Sequence, residues 1–422
     1  MIDIGYIIKL HRTKQNMTQE ALSEGIVSLS YLSKIENQKA KANSEIIQAL
    51  CNRLGIELTN IPDSNFEDKC KKWYDMLYDR FDKQEIITRY EELQNVMDKS
   101  INNQTIMFEI HKIRYYMILR DFQKALHKIN ELHEMADSFN SPHKYFWNKF
   151  QGNYYSFKGE HQQSLQCYKK AEKVHRSAEI EEEEIADLYY AISIQHSHLL
   201  NGLETINYAE KAMAEFQRKY NFIRCAQCHI LLGISYQRIR MNDVALENYN
   251  QAMYLGKLNN EEQVIQLAYL NLGLFYFTTG NSKKSIENYE LALKTTDLDY
   301  ELRLDAITHL IHSFYKSNNW QKTKVYLRLG EEALNFTQDK GYHKFYSYVI
   351  KTYTHLLNGD LKNFKMVLAD EFIPYLKQKK AYNYLVFYSR LLATHLEKMG
   401  KYKEAMKYYK VANESYDKII KL

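Results

Sequence analysis

Helix breakers are scarce in this chain: 3 Pro and 14 Gly among 422 residues. That composition fits a helical protein with short turns and argues against a turn-rich β fold. Cysteine is sparse too. The five, at 51, 70, 167, 225 and 228, make an odd count, which argues against a disulfide framework. Cys225 and Cys228 form one Cys-x-x-Cys beside His229, but zinc needs a second pair of ligands at similar spacing and the sequence offers none. Neither a metal nor a cofactor is expected. No run of 18 apolar residues occurs and no secretory pattern opens the chain, so a soluble, cytoplasmic protein away from membranes is expected. The net charge of +5 is too small for an indiscriminate polyanion binder. Gly-x-Ser-x-Gly, phosphate-loop, His-Glu-x-x-His and dinucleotide fingerprints are all missing, so no catalytic residue is assigned.

What is present begins with four short amphipathic segments before Pro62. The first runs from Ile4 to Lys14, with Ile4, Ile7, Ile8 and Leu10 at helical spacing. The second starts at the N-cap Thr18, and Gly25 supplies the turn after it. The third spans Ser28–Glu36 with Ser28 as its cap, and the fourth spans Ser44–Leu54, closed by Gly55. Two helices joined by a short Gly-containing turn are the helix-turn-helix layout, whose second helix enters the major groove. Ser28, Ser30, Tyr31 and Lys34 are therefore candidate base-reading residues, with Leu32 and Ile35 facing inward. Gln19, at a helix N-terminus, is placed to reach a phosphate. Lys9, Arg12, Lys14, Lys39 and Lys41 add charge for the DNA backbone. Ile4-Gly5, Ile8, Thr18-Gln19-Glu20-Ala21-Leu22 and Ser30–Glu36 resemble the lambda-repressor-like (XRE, Cro-type) family over residues 1–60. The competing reading is a helical mini-domain that binds protein.

After a linker at 61–67, one pattern recurs to the end of the chain. A small residue is followed by an aromatic, a Gly or polar turn residue, Ala or Ser, another aromatic and Ala. The clear copies are Gly152-Tyr155-Gly159-Ser164-Tyr168-Ala171, Gly233-Tyr236-Arg240-Ala245-Tyr249-Ala252, Gly273-Tyr276-Gly280-Ser285-Tyr289-Ala292 and Ala393-Leu396-Gly400-Ala405-Tyr409-Ala412. Weaker copies centre on Asp75, Ile113, Ser193, His312 and Thr352, giving intervals of 38 to 41 residues. This resembles the tetratricopeptide repeat. An all-α fold follows: a lambda-repressor-like helix-turn-helix domain over 1–60, then about nine hairpins over 68–422 stacked into a right-handed superhelix. Much of the abundant aromatic content, 36 Tyr and 18 Phe, is expected in the core between helices. Pro62 in the linker reads as a hinge that lets the first domain swing. The run of five Glu within 179–184 reads as a solvated helix start.

The first helix of each hairpin should line a groove. Arg114, Lys149, Asn153, Asp187, Tyr190, Gln237, Asn271 and His309 fall on that face. Amide side chains pair with an extended peptide backbone, and Arg or Lys with a carboxylate. A short peptide is thus the expected guest.

The combination resembles the peptide-sensing quorum regulators of Gram-positive bacteria, the Rap, Rgg, NprR, PlcR and PrgX group, and within it the NprR type. That resemblance implies a cytoplasmic transcription regulator that binds an imported signalling oligopeptide and thereby switches its hold on double-stranded operator DNA. It implies a homodimer or higher oligomer. It also raises a Rap-like phosphatase activity on a sporulation response regulator, for which Gln84 is the sole candidate residue, and a phage arbitrium-type receptor as a competing assignment; a protein-interaction scaffold, with the DNA domain auxiliary, is the other alternative.

Overall fold

The computed structural model describes residues 4–420 except 38, 59–63, 79–81, 102–103, 134, 295–299 and 337–339. Among the described residues the regular structure is helical apart from one two-residue parallel ladder. It divides into two compact units, residues 1–199 and 200–422.

The first unit opens with α1 (Ile4–Lys14), α2 (Gln19–Ser23), α3 (Leu29–Glu36) and α4 (Ser44–Leu54). Local chemistry sets their ends. Thr18 accepts from the Ala21 amide, Ser28 from Tyr31 and Asn43 from Ile46, each satisfying an otherwise orphaned helix N–H. Gly25 (φ 67) and Gly55 (φ 66) take the left-handed conformations that stop α2 and α4. Strand β1 (Glu57–Leu58) follows, then the pairs α5 (Ser64–Met76) and α6 (Lys83–Met97), α7 (Thr105–Ile118) and α8 (Phe122–His133), and α9 (Ser141–Phe157) and α10 (His161–Val174), ending in α11 (Glu182–His198). Of the linker expected at 61–67, residues 61–63 lie outside the described residues, and α5 already begins at Ser64.

The second unit holds α12 (Gly202–Arg218), then α13 (Phe222–Arg238) with α14 (Asn242–Leu258), α15 (Glu262–Thr278) with α16 (Ser282–Ala292), and α17 (Tyr300–Lys316) with α18 (Trp320–Leu334). Next, α19 (Lys340–Leu357) faces a broken partner: α20 (Leu361–Met366), a π-helical turn at Val367–Phe372, and α21 (Ile373–Gln378). Pro374 at the start of α21 has no N–H to continue the ladder. The unit closes with α22 (Tyr382–Lys398) and α23 (Tyr402–Ile420). Within each unit the described helices follow one another as hairpins, α5 to α10 in the first and α13 to α23 in the second.

The repeat signature has a physical cause. A Cβ built on Gly152 would lie 2.4 Å from the Tyr168 ring, on Gly233 2.5 Å from Tyr249, and on Gly273 2.9 Å from Tyr289. The small residue of the first helix is the floor on which the tyrosine of the second lies, and all three tyrosines are buried. The tyrosine therefore fills the space inside its own hairpin, and Tyr249 and Tyr289 also reach the next first helix at Phe275 and His309, ring centroids 6.2 and 5.0 Å apart. Ser164 and Ser285 add hydroxyl bonds to the carbonyls of Gly152 (2.8 Å) and Gly273 (2.9 Å). At the turn position the backbone is left-handed at Gly159, Gly280 and Gly400, and equally at Arg240 (φ 64).

Candidate functional site

Helix α3 exposes Ser28, Ser30 and Lys34, while Leu32 and Ile35 are buried beneath it. Tyr31 is half-buried, its hydroxyl donating to the Lys41 carbonyl at 3.1 Å. Leu29, directly after the cap, is 50% exposed between the two serines. An apolar side chain there can meet a thymine methyl group. The sequence reading passed over it, although its signal, a leucine off the apolar stripe of α3, was available.

Behind this face lies a closed polar network. Glu36 is fully buried. It accepts from Arg12 Nε (2.7 Å) and Nη2 (2.9 Å) and from Gln19 Nε2 (2.6 Å), and Arg12 Nη1 also donates to the Met17 carbonyl at 2.8 Å. Arg12 was expected to serve the DNA backbone; it instead fastens α1 to α3. Gln19, expected to reach a phosphate, has one of its two amide protons committed to Glu36.

Lys14 is likewise not a free DNA cation. Its Nζ donates to Glu109 of α7 at 2.7 Å and lies 3.7 Å from Asp98. Glu109 is buried and also accepts from Lys112 (2.8 Å) and Lys128 (2.6 Å); Lys128 further bonds Glu131 at 2.7 Å. Burial alone would raise the Glu109 carboxyl, but three ammonium groups hold it well below the usual range. Burial lowers Lys112 to about 8. Next to this cluster β1 pairs in parallel with β2 (Ser100–Ile101), extended by the Glu57 amide donating to the Lys99 carbonyl at 2.8 Å. Ile7, Ile8 and Leu54 share one apolar core with Ile106, Ile110 and Ile129. The expected swinging hinge is therefore corrected: the first domain and the first two hairpins form one packed body within the first unit.

On the first-helix face of this unit, Arg114, Lys149 and Asn153 come together around Tyr78. The Arg114 guanidinium lies over the Tyr78 ring at 4.5 Å and its Nε donates to the Leu77 carbonyl at 2.8 Å. Asn153 accepts from Arg114 Nη1 at 3.2 Å and donates to the Tyr168 hydroxyl at 2.7 Å. Lys149 departs from expectation. It is fully buried, lies over the same Tyr78 ring at 5.1 Å, and donates to Glu184 and to Asp187 (2.8 Å). An ammonium removed from water needs counter-charges, so Lys149 is spent on two carboxylates rather than free for a peptide's. Glu184, read as part of a solvated run, is drawn in by this pairing, and burial raises its carboxyl. Tyr190 is half-buried on the same helix, its carbonyl accepting from Ser193.

The second unit holds the remaining candidates. Gln237 bridges two neighbours, accepting from Tyr249 (2.8 Å) and donating to Thr278 (3.0 Å). Asn271 is half-buried with one amide proton on the Leu267 carbonyl at 2.7 Å. His309 stacks on Tyr289 with ring centroids 5.0 Å apart, and burial keeps its imidazole below the ordinary value. A pattern emerges that spacing alone did not give: consecutive first helices are tied by side-chain bonds about one repeat apart, Gln195 to Ser156 (2.9 Å), Gln237 to Thr278 and His312 to Tyr353 (2.5 Å).

A capped recognition helix at the head of tetratricopeptide-type hairpins defines a helix-turn-helix regulator. The helix-turn-helix family pattern matches residues 8–61 and the tetratricopeptide repeat pattern residues 267–296. The transcriptional activator NprA of Geobacillus stearothermophilus is 32% identical over 409 residues, covering 95% of this chain and 100% of that protein. The chain belongs to the family of that activator. The response regulator aspartate phosphatase I of Bacillus subtilis is 21% identical over 384 residues, covering 87% of this chain and 94% of its own. The fold matches the apo form of the quorum sensor NprR from B. thuringiensis, with TM-score 0.71, 19% identity and coverage of 84% of this chain and 99% of that one. It also matches NprR in complex with its cognate peptide NprX, with TM-score 0.63, 19% identity and coverage of 85% and 100%. Among the described residues no helix is long and apolar enough to cross a membrane.

Proposed function

We propose that this chain is a cytoplasmic, peptide-responsive transcription regulator. Its carrying observation is an exposed, capped recognition helix in a family whose relative NprA is a transcriptional activator. Ser28, Ser30, Tyr31 and Lys34 read base edges of an operator, with Leu29 added, and Gln19 meets a phosphate. A homodimer fits two half-sites one helical turn apart. A short oligopeptide, as NprR takes NprX, binds along the first helices. Arg114, held flat on Tyr78, meets a carboxylate. In the first unit Asn153 and Tyr190 meet the backbone and Lys149 holds Glu184 and Asp187 in place; in the second unit Gln237, Asn271 and His309 are the candidates for the same role.

The test is thermal stabilisation of the full chain by five- to eight-residue peptides encoded near its gene. A ligand specific for the folded state adds about 2.7 kcal/mol at 100 times its Kd. A hit that Arg114→Ala abolishes supports the reading; no stabilisation by any of them refutes it. A second reading, favoured by the similarity to the phosphatase, is action on a phosphorylated response regulator. Gln84 sits exposed in the first turn of α6, and we assign it no catalytic role. Faster loss of acyl phosphate from such a regulator in the presence of the chain would establish the second reading instead.

A further inference from the structure

The packing of the DNA domain on the repeats is not continuous. A cavity of about 590 Å³ opens between α1, α6, α7 and α8, wholly within the first unit, and a smaller one of about 310 Å³ adjoins it along α1 and α8. The larger lies within the range of small-molecule sites, roughly 300–1,000 Å³. Four lysines reach its wall, Lys14, Lys112, Lys124 and Lys128, against two carboxylates, Asp98 and Glu131. Two more carboxylates stand behind the wall: Glu109 serves three of those lysines, and Asp121 pairs with the fourth, Lys124, at 3.0 Å.

Two wall groups are buried and under-used. His11 is 2% exposed, yet its Nε2 has no hydrogen-bond partner. An orphaned buried donor or acceptor costs about 1–3 kcal/mol, so a guest bonding this nitrogen would recover part of that. Lys112 is 3% exposed and gives one N–H to Glu109, where an ammonium has three. The four ammonium groups are matched by four carboxylates, so what the wall keeps unused is the His11 Nε2 position and the N–H groups its lysines do not give to carboxylates, and lysines bind phosphate as point charges. The space, about 590 Å³, is of a size for a small molecule.

We propose that this cavity binds a small phosphate-bearing anion, held between the DNA domain and the first two hairpins. The site is separate from the peptide reading, because none of its residues belongs to the candidate peptide face. A bound anion would bridge α1 to α6–α8 and so stiffen the seat of the recognition helix.

The probe is pyrophosphate, titrated into the full chain at constant ionic strength and followed by calorimetry and hydrogen exchange. The expected result is saturable binding at one site, with slower amide exchange in α1 and α8. Lys124→Gln and His127→Gln alter exposed wall residues outside the Glu109 cluster, so both variants should fold as wild type. Loss of one charge-assisted bond, about 1.5–3 kcal/mol, should weaken Lys124→Gln binding about tenfold or more. Lys34→Gln, on the DNA-reading face, should bind as wild type. No saturable binding overturns the proposal. So does binding lost in Lys34→Gln but retained in Lys124→Gln, which would place the anion on the DNA face.

Discussion

Mild acid should loosen the N-terminal unit through its histidines before its carboxylates titrate. His11 and His111 are 2% and 1% exposed. Burial lowers the first to about 4 and the second to about 3. His111 is further pinned by a ring stacked 3.9 Å from Tyr74 and a bond to the Met107 carbonyl at 2.9 Å. Both are neutral in the folded unit at pH 5, whereas the unfolded chain protonates them below about 6.5. Their contribution is therefore complete above pH 6.5 and is lost as pH falls toward 4. Near pH 5 two extra protons on the unfolded chain give a slope of about 2.7 kcal/mol per pH unit. Integrated from pH 6.5 to 5, each histidine removes about 1.6 kcal/mol, a large share of a typical 5–15 kcal/mol. His143, lowered to about 4 by burial, acts in the same direction. The assay is urea unfolding between pH 7 and 5, read by tryptophan fluorescence in a Trp320→Phe background, so that Trp73 and Trp147 report the first unit alone. His11→Gln and His111→Phe should each reduce the slope by about one proton. A midpoint constant from pH 6.5 to 5, or slopes unchanged in both variants, would refute the reasoning.

Other outcomes follow from particular contacts. Gly152→Ala and Gly233→Ala should each destabilise by about 1–3 kcal/mol in urea, because the new methyl group meets a buried tyrosine ring; Gly273→Ala, with the longer 2.9 Å approach, should cost least. Glu109→Gln leaves three lysines short of their shared carboxylate and should cost about 3–5 kcal/mol, with faster amide exchange in α1 as the readout of an unseated DNA domain. Lys34→Ala and Leu29→Ala should each weaken operator binding by about 1–3 kcal/mol in a gel-shift titration while the chain's Tm stays at the wild-type value.

The helices were readable because their signals are local. Thr18, Ser28, Gly25 and Gly55 fix the ends of the first domain with their own side chains or backbone freedom. The repeat spacing predicted nine hairpins because Gly152, Gly233 and Gly273 must each clear a tyrosine sixteen residues later. What spacing could not give was the long-range pairing of charge. Arg12, Lys14 and Lys149 look like free surface cations in sequence. Each instead meets a carboxylate 24 to 95 residues away, in Glu36, Glu109 and Glu184. The same blindness made Glu184 part of a solvated acidic run and made Pro62 a hinge, since nothing local to residues 55–65 announces that Glu57 and Leu58 will pair with Ser100 and Ile101.

The bond between Lys14 and Glu109 also has a timing consequence. The two residues are 95 positions apart, and a ribosome adds about 5–20 residues per second. The emerging helix-turn-helix segment therefore waits roughly 5–20 s before its counter-charge has even been synthesised. For that interval its seat-facing isoleucines and the edge of β1 have no partner, and only chaperones or the local caps protect them. Slow codons between residues 58 and 110 would lengthen this unprotected window, so the yield of active regulator in the cell would depend on translation rate across the first hairpin, with no change in the protein's sequence.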